Sequence, residues 1–198
     1  MNPGVNALSF LLNTLIDLYV MVVALRFVMQ AVRADYYNPV AQFVVKATNP
    51  VLVPLRKLVP GLFGQDMAAL SLCLALLLGK LYLFLAMGLG PTAIAGYHVP
   101  LGSGAPLLML ALAVIDLLAL FFNIFFFAII IMAVLSWINP GHYNPVSGLL
   151  ASISAPVLDP VRRFVPPLGG LDLSPLVALI ALQVLKILVV QSLLNLLL

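Results

Sequence analysis

Charge is what this chain has least of. Its 198 residues include nine lysines and arginines and six acids, so charged residues make up 8% while hydrophobic ones make up 64%. Soluble domains carry about 25% charged and roughly 45–50% apolar residues. Six acids and nine bases cannot make a water-facing surface, which excludes the soluble globular class and leaves lipid as the solvent. Cysteine is almost as scarce: Cys73 stands alone, so neither an internal disulfide nor a cysteine-rich metal site can form, and it reads as a small hydrophobe. Net charge is only +3 and the bases form no continuous run, which gives nucleic-acid binding little support. Met1 to Ser9 holds no lysine or arginine, so the positive leader of a secretory signal is missing and the first apolar run is expected to be a retained anchor.

What the chain has is apolar runs. Four stand out, at about 7–30, 67–89, 107–137 and 174–198, each long enough to cross a hydrocarbon core about 30 Å thick. The fifteen prolines avoid the interiors of these runs and gather mainly between them, as uninterrupted membrane helices require. The third run exceeds the usual span and is expected to tilt or protrude.

The segments between spans one and two and between spans three and four repeat each other. Tyr37-Asn38-Pro39-Val40 and Pro50 to Pro60 reappear, 106 residues on, as Tyr143-Asn144-Pro145-Val146 and Pro156 to Pro166. Without a gap, 14 of the 30 positions from 37 to 66 match their partners, four of them prolines, so hydrophobicity alone does not produce the match. The expected fold is therefore an all-α membrane protein of four transmembrane helices in two parallel tandem repeats. Repeat one covers 1–106 with an elbow at 34–66, and repeat two covers 107–198 with an elbow at 140–173.

Orientation follows from the bases. Arg33, Lys46, Arg56, Lys57, Arg162 and Arg163 lie in or beside the elbows, and the 90–106 loop has none. Short loops rich in lysine and arginine stay cytoplasmic. Both elbows are expected on that side, with the termini and the 90–106 loop outside; the two spans of each repeat then give both copies one orientation.

Within each elbow an apolar stripe with helical spacing, Val40, Phe43, Val44 and Ala47, repeats as Val146, Leu149, Leu150 and Ile153. Gln42, Lys46 and Asn49, and Ser147 and Ser154, mark the opposite faces. A short amphipathic helix of this kind lies along the interface. Asn38 and Asn144 suit its N-cap, and Pro39 and Pro145 its first turn. Pro50 and Pro156 are expected to stop that helix, and Pro54 and Pro160 to bend or restart the chain. The paired bases Arg56-Lys57 and Arg162-Arg163 then meet headgroups, where they either anchor topology, bind anionic lipid or hold a protein partner. No glycine run makes either segment a phosphate-cradling loop.

Asp17, Asp116, Lys80 and Lys186 fall inside spans, where ionisable residues are costly and mark function by default. Lys80 and Lys186 are again 106 apart, while Asp17 has Asn123 as counterpart. At about 1.5 Å per residue, Asp17 and Lys80 reach matched depth. Two ion pairs, Asp17–Lys80 and Asp116–Lys186, are expected, either as packing devices or along an ion pathway. Ser71, Ala75 and Gly79 make a small-residue row that permits close packing within the monomer or self-association. His98 and His142 fall on opposite predicted sides, so no joint haem or metal ligation is expected, and the serines lack a base and an elbow glycine pattern.

The Asn-Pro, spacer, Pro-Val-Leu-x-Pro-x-Arg-x-x-x-Pro pattern, twice in a small four-span chain, resembles the YggT family of bacterial and plastid membrane proteins. Its motif residues fall on Asn38, Pro39, Pro50, Pro54, Arg56 and Pro60, and on Asn144, Pro145, Pro156, Pro160, Arg162 and Pro166. The resemblance implies no established catalysis and no cofactor. It implies links to osmotic stress or to cell-division gene neighbourhoods in bacteria, and to cytochrome b6 maturation and nucleoid organisation in plastids. The expected function is thus a non-enzymatic inner-membrane scaffold or assembly factor with lipid and protein partners, the alternative being a channel or transporter subunit.

Overall fold

A computed structural model describes residues 3–62, 64–89, 92–99, 101, 104–138, 144–165 and 172–197. In chain order it holds α1 (Pro3–Ala31), α2 (Pro39–Leu55), α3 (Met67–Ala86), β1 (Thr92–Ile94), β2 (Tyr97–Val99), α4 (Pro106–Ile138), α5 (Pro145–Phe164) and α6 (Ser174–Leu197). Helices α1, α3, α4 and α6 are each long and apolar enough to cross a membrane. They start and stop where the apolar runs do; α4, at 33 residues, is roughly 50 Å long.

Helix α3 packs against both α1 and α4, and α4 against α6. The core between them is made of residues such as Val23, Ala24, Cys73, Leu77, Leu112 and Ala113. The outward faces are no more polar than the core: Leu15, Leu18, Leu110, Ile180 and Leu188 are all exposed. A bundle apolar on both sides is one immersed in lipid. There, apolar burial drives helices together only weakly, and close packing and polar side-chain bonds carry the association.

The elbows differ from expectation in two respects, the first being their prolines. Pro50 and Pro54 do not end the helix but lie inside α2, and Pro156 and Pro160 lie inside α5. The four prolines are exposed, and their spacing of four puts each pair on one face. The carbonyls they leave without an amide donor therefore sit on the side turned away from the bundle, where water or headgroups can reach them.

The buried face is also shifted from the stripe read in the sequence. It runs through Ala41, Val44, Thr48 and Leu52, leaving Phe43 65% exposed, and through Leu149, Ile153, Ser154 and Leu158. Thr48 and Ser154 tolerate burial because each hydroxyl donates to the carbonyl four residues back, Val44 and Leu150.

Residues 92–99 are not a plain loop. Their two strands pair antiparallel around Ala95-Gly96, both at positive φ (55° and 92°), the backbone of a two-residue hairpin turn. Ile94 and Val99 are fully buried. Irregular backbone at membrane depth survives only where protein or a cavity surrounds it, and both conditions are met beside α4.

Candidate functional site

The two motif segments build the same local device. Asn38 caps α2 by accepting the Val40 amide, Asn144 caps α5 by accepting the Val146 amide, and Pro39 and Pro145 occupy the first turns. At the far end, Arg56 is ion-paired with Asp66, and Arg162 with Asp172 at 3.1 Å. Each aspartate also bonds an amide at the start of the following span: Asp66, the N-cap of α3, accepts the Ala69 amide at 3.2 Å, and Asp172 the Ser174 amide at 2.9 Å. The clamp therefore ties the end of each elbow to the start of the next membrane helix.

Reading the arginines as headgroup contacts missed this partner, although Asp66 and Asp172 are themselves matched positions of the repeat. The bond to Asp66, working against burial, raises the Arg56 pKa. Burial opposes ionisation of Asp172, but bonds from Ser174 and Arg162 outweigh it and hold its carboxyl below the usual range. Lys57 and Arg163 remain exposed. Pro60 is exposed as well, while Pro166 and His142 lie outside the described residues.

The elbows are also joined to each other. The Asn38 carboxamide, besides capping its own helix, donates to the Pro145 carbonyl of the second copy. Ala41 and Val44 of α2 share one apolar cluster with Leu149 and Ile153 of α5, closed by Val28, Met29 and Ala128 from the spans. Outside this seam stand exposed Tyr37 (89%), Phe43, Leu58 (80%) and Phe164 (85%).

Inside the bundle the charges are paired differently from the expectation. Lys80, fully buried, donates to Asp17 at 2.7 Å and to Asp116 at 3.1 Å. Lys186 donates instead to the Asn123 carboxamide at 2.9 Å and forms no ion pair among the described residues. The Asp116–Lys186 pair is thus replaced by a three-membered cluster centred on Lys80. Depth along the helices was the right guide to Asp17, but it says nothing about which way a side chain faces around the axis. The repeat was the better guide, because 17 with 80 and 123 with 186 are equivalent positions. The second oxygen of Asp116 accepts the Ala95 amide at 2.9 Å, which fastens the hairpin turn to the cluster.

A ninth base escaped the sequence reading. Arg26, within α1 and 5% exposed, places Nη1 at 2.6 Å from the Thr48 hydroxyl, 2.8 Å from the Asn49 carboxamide oxygen and 3.0 Å from the Val45 carbonyl. Among the described residues this base bonds only to neutral oxygens of the elbow helix. Its equivalent in repeat two is Met132, and those of Thr48 and Asn49 are Ser154 and Ala155. A lone base in a span, facing a polar pair that the other copy lacks, was the available signal. Of the small-residue row, Ala75 and Gly79 are exposed and Ser71 is half-buried. His98 is exposed on β2.

Beside the Lys80 cluster opens a cavity of about 500 Å³, lined by Asn13, Thr14, Asp17, Asp116, Asn123 and Lys186, with the hairpin tip Ala95-Gly96 across it. The Asn13 carboxamide oxygen is buried there without a partner.

Four apolar helices around paired charges, joined by capped elbows, define a multi-pass membrane protein. The CCB3/YggT family model matches the chain twice, over residues 5–87 and 111–193, the same 106-residue step that separates the motifs. The chain belongs to this family. It is 44% identical over 191 residues to an uncharacterised protein of Pseudomonas aeruginosa, covering 96% of this chain and 92% of that one. It is 36% identical over 187 residues to the uncharacterised protein YggT of Escherichia coli, covering 91% and 88%. A shorter likeness, 39% over 66 residues, joins it to the chloroplastic YlmG homolog protein 2 of Arabidopsis thaliana, covering 32% of this chain and 25% of the relative. No solved structure matches it.

Proposed function

We propose that the protein is a non-enzymatic scaffold or assembly factor of the bacterial inner membrane whose working face is the joined pair of elbow helices, turned to the cytoplasm. The observation that supports this reading is the Asn38 bond to the Pro145 carbonyl, which makes one platform from the two motif copies. The Arg–Asp clamps hold that platform to the spans. Exposed Tyr37, Phe43 and Phe164 offer apolar contact, and Lys46, Lys57 and Arg163 offer charge to lipid headgroups or an acidic partner. The link to osmotic or envelope stress rests on the family resemblance alone.

A photo-crosslinker at Phe43 or Phe164 tests the platform. One protein adduct, lost when Asn38→Ala loosens the seam, is expected; labelling confined to lipid removes the protein-scaffold reading and leaves a lipid-facing one.

The intramembrane cavity supports a second reading, a subunit that passes an ion or small solute. Flux from proteoliposomes is expected to be silent if the scaffold reading holds. A reproducible flux lost in Asp17→Asn reverses the preference.

A further inference from the structure

We propose that the cavity between α1, α4, α6 and the hairpin turn binds a small zwitterion of amino-acid size, its ammonium toward Asp17 and its carboxylate toward Lys186. Two opposite charges line this one cavity without meeting. Asp17 shares one oxygen with Lys80, and its side chain lines the cavity and stays 42% exposed. Lys186 spends one of its three N–H bonds on Asn123 and has no carboxylate partner among the described residues. In a low-dielectric interior, opposite charges held apart are stabilised by whatever bridges them.

The charge count selects the bridge. Asp17 and Asp116 against Lys80 and Lys186 sum to zero, so a cation or an anion alone would leave the cluster unbalanced. A molecule carrying both charges keeps it neutral. Polar groups are also present at both ends: Asn13 and Thr14 lie within a turn of Asp17 on α1, and Asn123 holds Lys186. Asn13 brings a buried, unpartnered carboxamide oxygen that an N–H donor would satisfy after a turn of the amide. A volume of about 500 Å³ admits such a solute and lies within the range of ligand pockets.

Repeat one supplies the contrast. There the equivalent lysine, Lys80, has its carboxylate at Asp17 and is sealed from the cavity. Position 123 carries asparagine instead, and Lys186 keeps its charge available.

Calorimetric titration of the full chain in nanodiscs tests the site, using glycine, β-alanine, γ-aminobutyrate and ε-aminocaproate as a ruler for charge separation. Propylamine and propionate serve as the two halves. At least one zwitterion is expected to bind once per chain, and neither half to bind comparably. Asn123→Asp, which gives Lys186 a counter-ion of its own, and Lys186→Gln should each weaken that binding about tenfold or more while the thermal transition persists. The proposal is overturned if none of the four zwitterions binds, if either half binds as well, or if Asn123→Asp leaves affinity unchanged. Binding is read without flux, so a retained zwitterion in silent proteoliposomes keeps the site and removes only the transport reading.

Discussion

Lys80 has one ammonium and two carboxylates to share it, and that asymmetry sets what substitution does. Removing one partner of a buried pair strands the other charge, at roughly 3–5 kcal/mol. Lys80→Met strands two, so it should be the most damaging single change in the bundle, by about that amount or more. Asp17→Asn keeps Asp116 at 3.1 Å from the lysine and removes a group already partly exposed; on the order of 1 kcal/mol is expected. The double variant Asp17→Asn, Lys80→Met should not recover stability, because Asp116 remains unpaired. Adding Asp116→Asn should recover most of it, since the amide oxygen can still accept Ala95. Unfolding in bicelles orders the four proteins; recovery in the double variant would make Asp116 a bystander. Sequence depth made Asp17 with Lys80 legible. Asp116 joining them, and Arg26 leaving the lipid for Thr48 and Asn49, depend on facing around the helix axis, which spacing alone does not carry.

At the scale of elements, the elbows show which local signals survive packing. Asparagine before proline reads correctly as a helix start in both copies, because cap and first-turn chemistry are satisfied within a few residues. Proline as a helix stop does not, because on an exposed face the missing hydrogen bond costs less than ending a helix whose other face is packed. The two caps are unequal: Asn144 serves α5 alone, whereas Asn38 also holds Pro145. Losing a cap costs about 1 kcal/mol and losing a further hydrogen bond a similar amount. Asn38→Ala should therefore destabilise about twice as much as Asn144→Ala, and hydrogen exchange should quicken at the starts of both elbows rather than one.

The clamp adds a pH dependence of defined sign. The folded pKa of Asp172 lies below its ordinary 3.8, so its contribution is complete above that value and disappears as pH falls through the lower folded one. Thermal unfolding should shift little on this account between neutral pH and about pH 5 and lose the contribution below about pH 4, a loss that Asp172→Asn abolishes.

For the whole molecule, the motif residues and the two family matches step by 106 residues, yet the two copies have not kept the same chemistry. Repeat one holds Arg26, Asp17 and Lys80; repeat two has Met132, Asn123 and Lys186 at those places. Charge is concentrated on one side of the pseudo-repeat, and Asp116 carries it across to the other. The hairpin extends that crossing, which bears on topology. The charge bias leads to the expectation that 90–106 lies outside, whereas the bond from Ala95 to Asp116, ten residues into α4, sets the turn roughly 15 Å along that helix. Cysteines introduced one at a time in a Cys73→Ala background distinguish depth from side. Tyr37→Cys and Phe164→Cys should react with a membrane-impermeant maleimide only after the cytoplasmic face is opened, and His98→Cys from outside. Ala95→Cys should resist that reagent from either face until Asp116→Ala releases the turn. Free labelling at residue 95 from outside in the otherwise intact chain would make the hairpin a surface loop and take away one wall of the cavity.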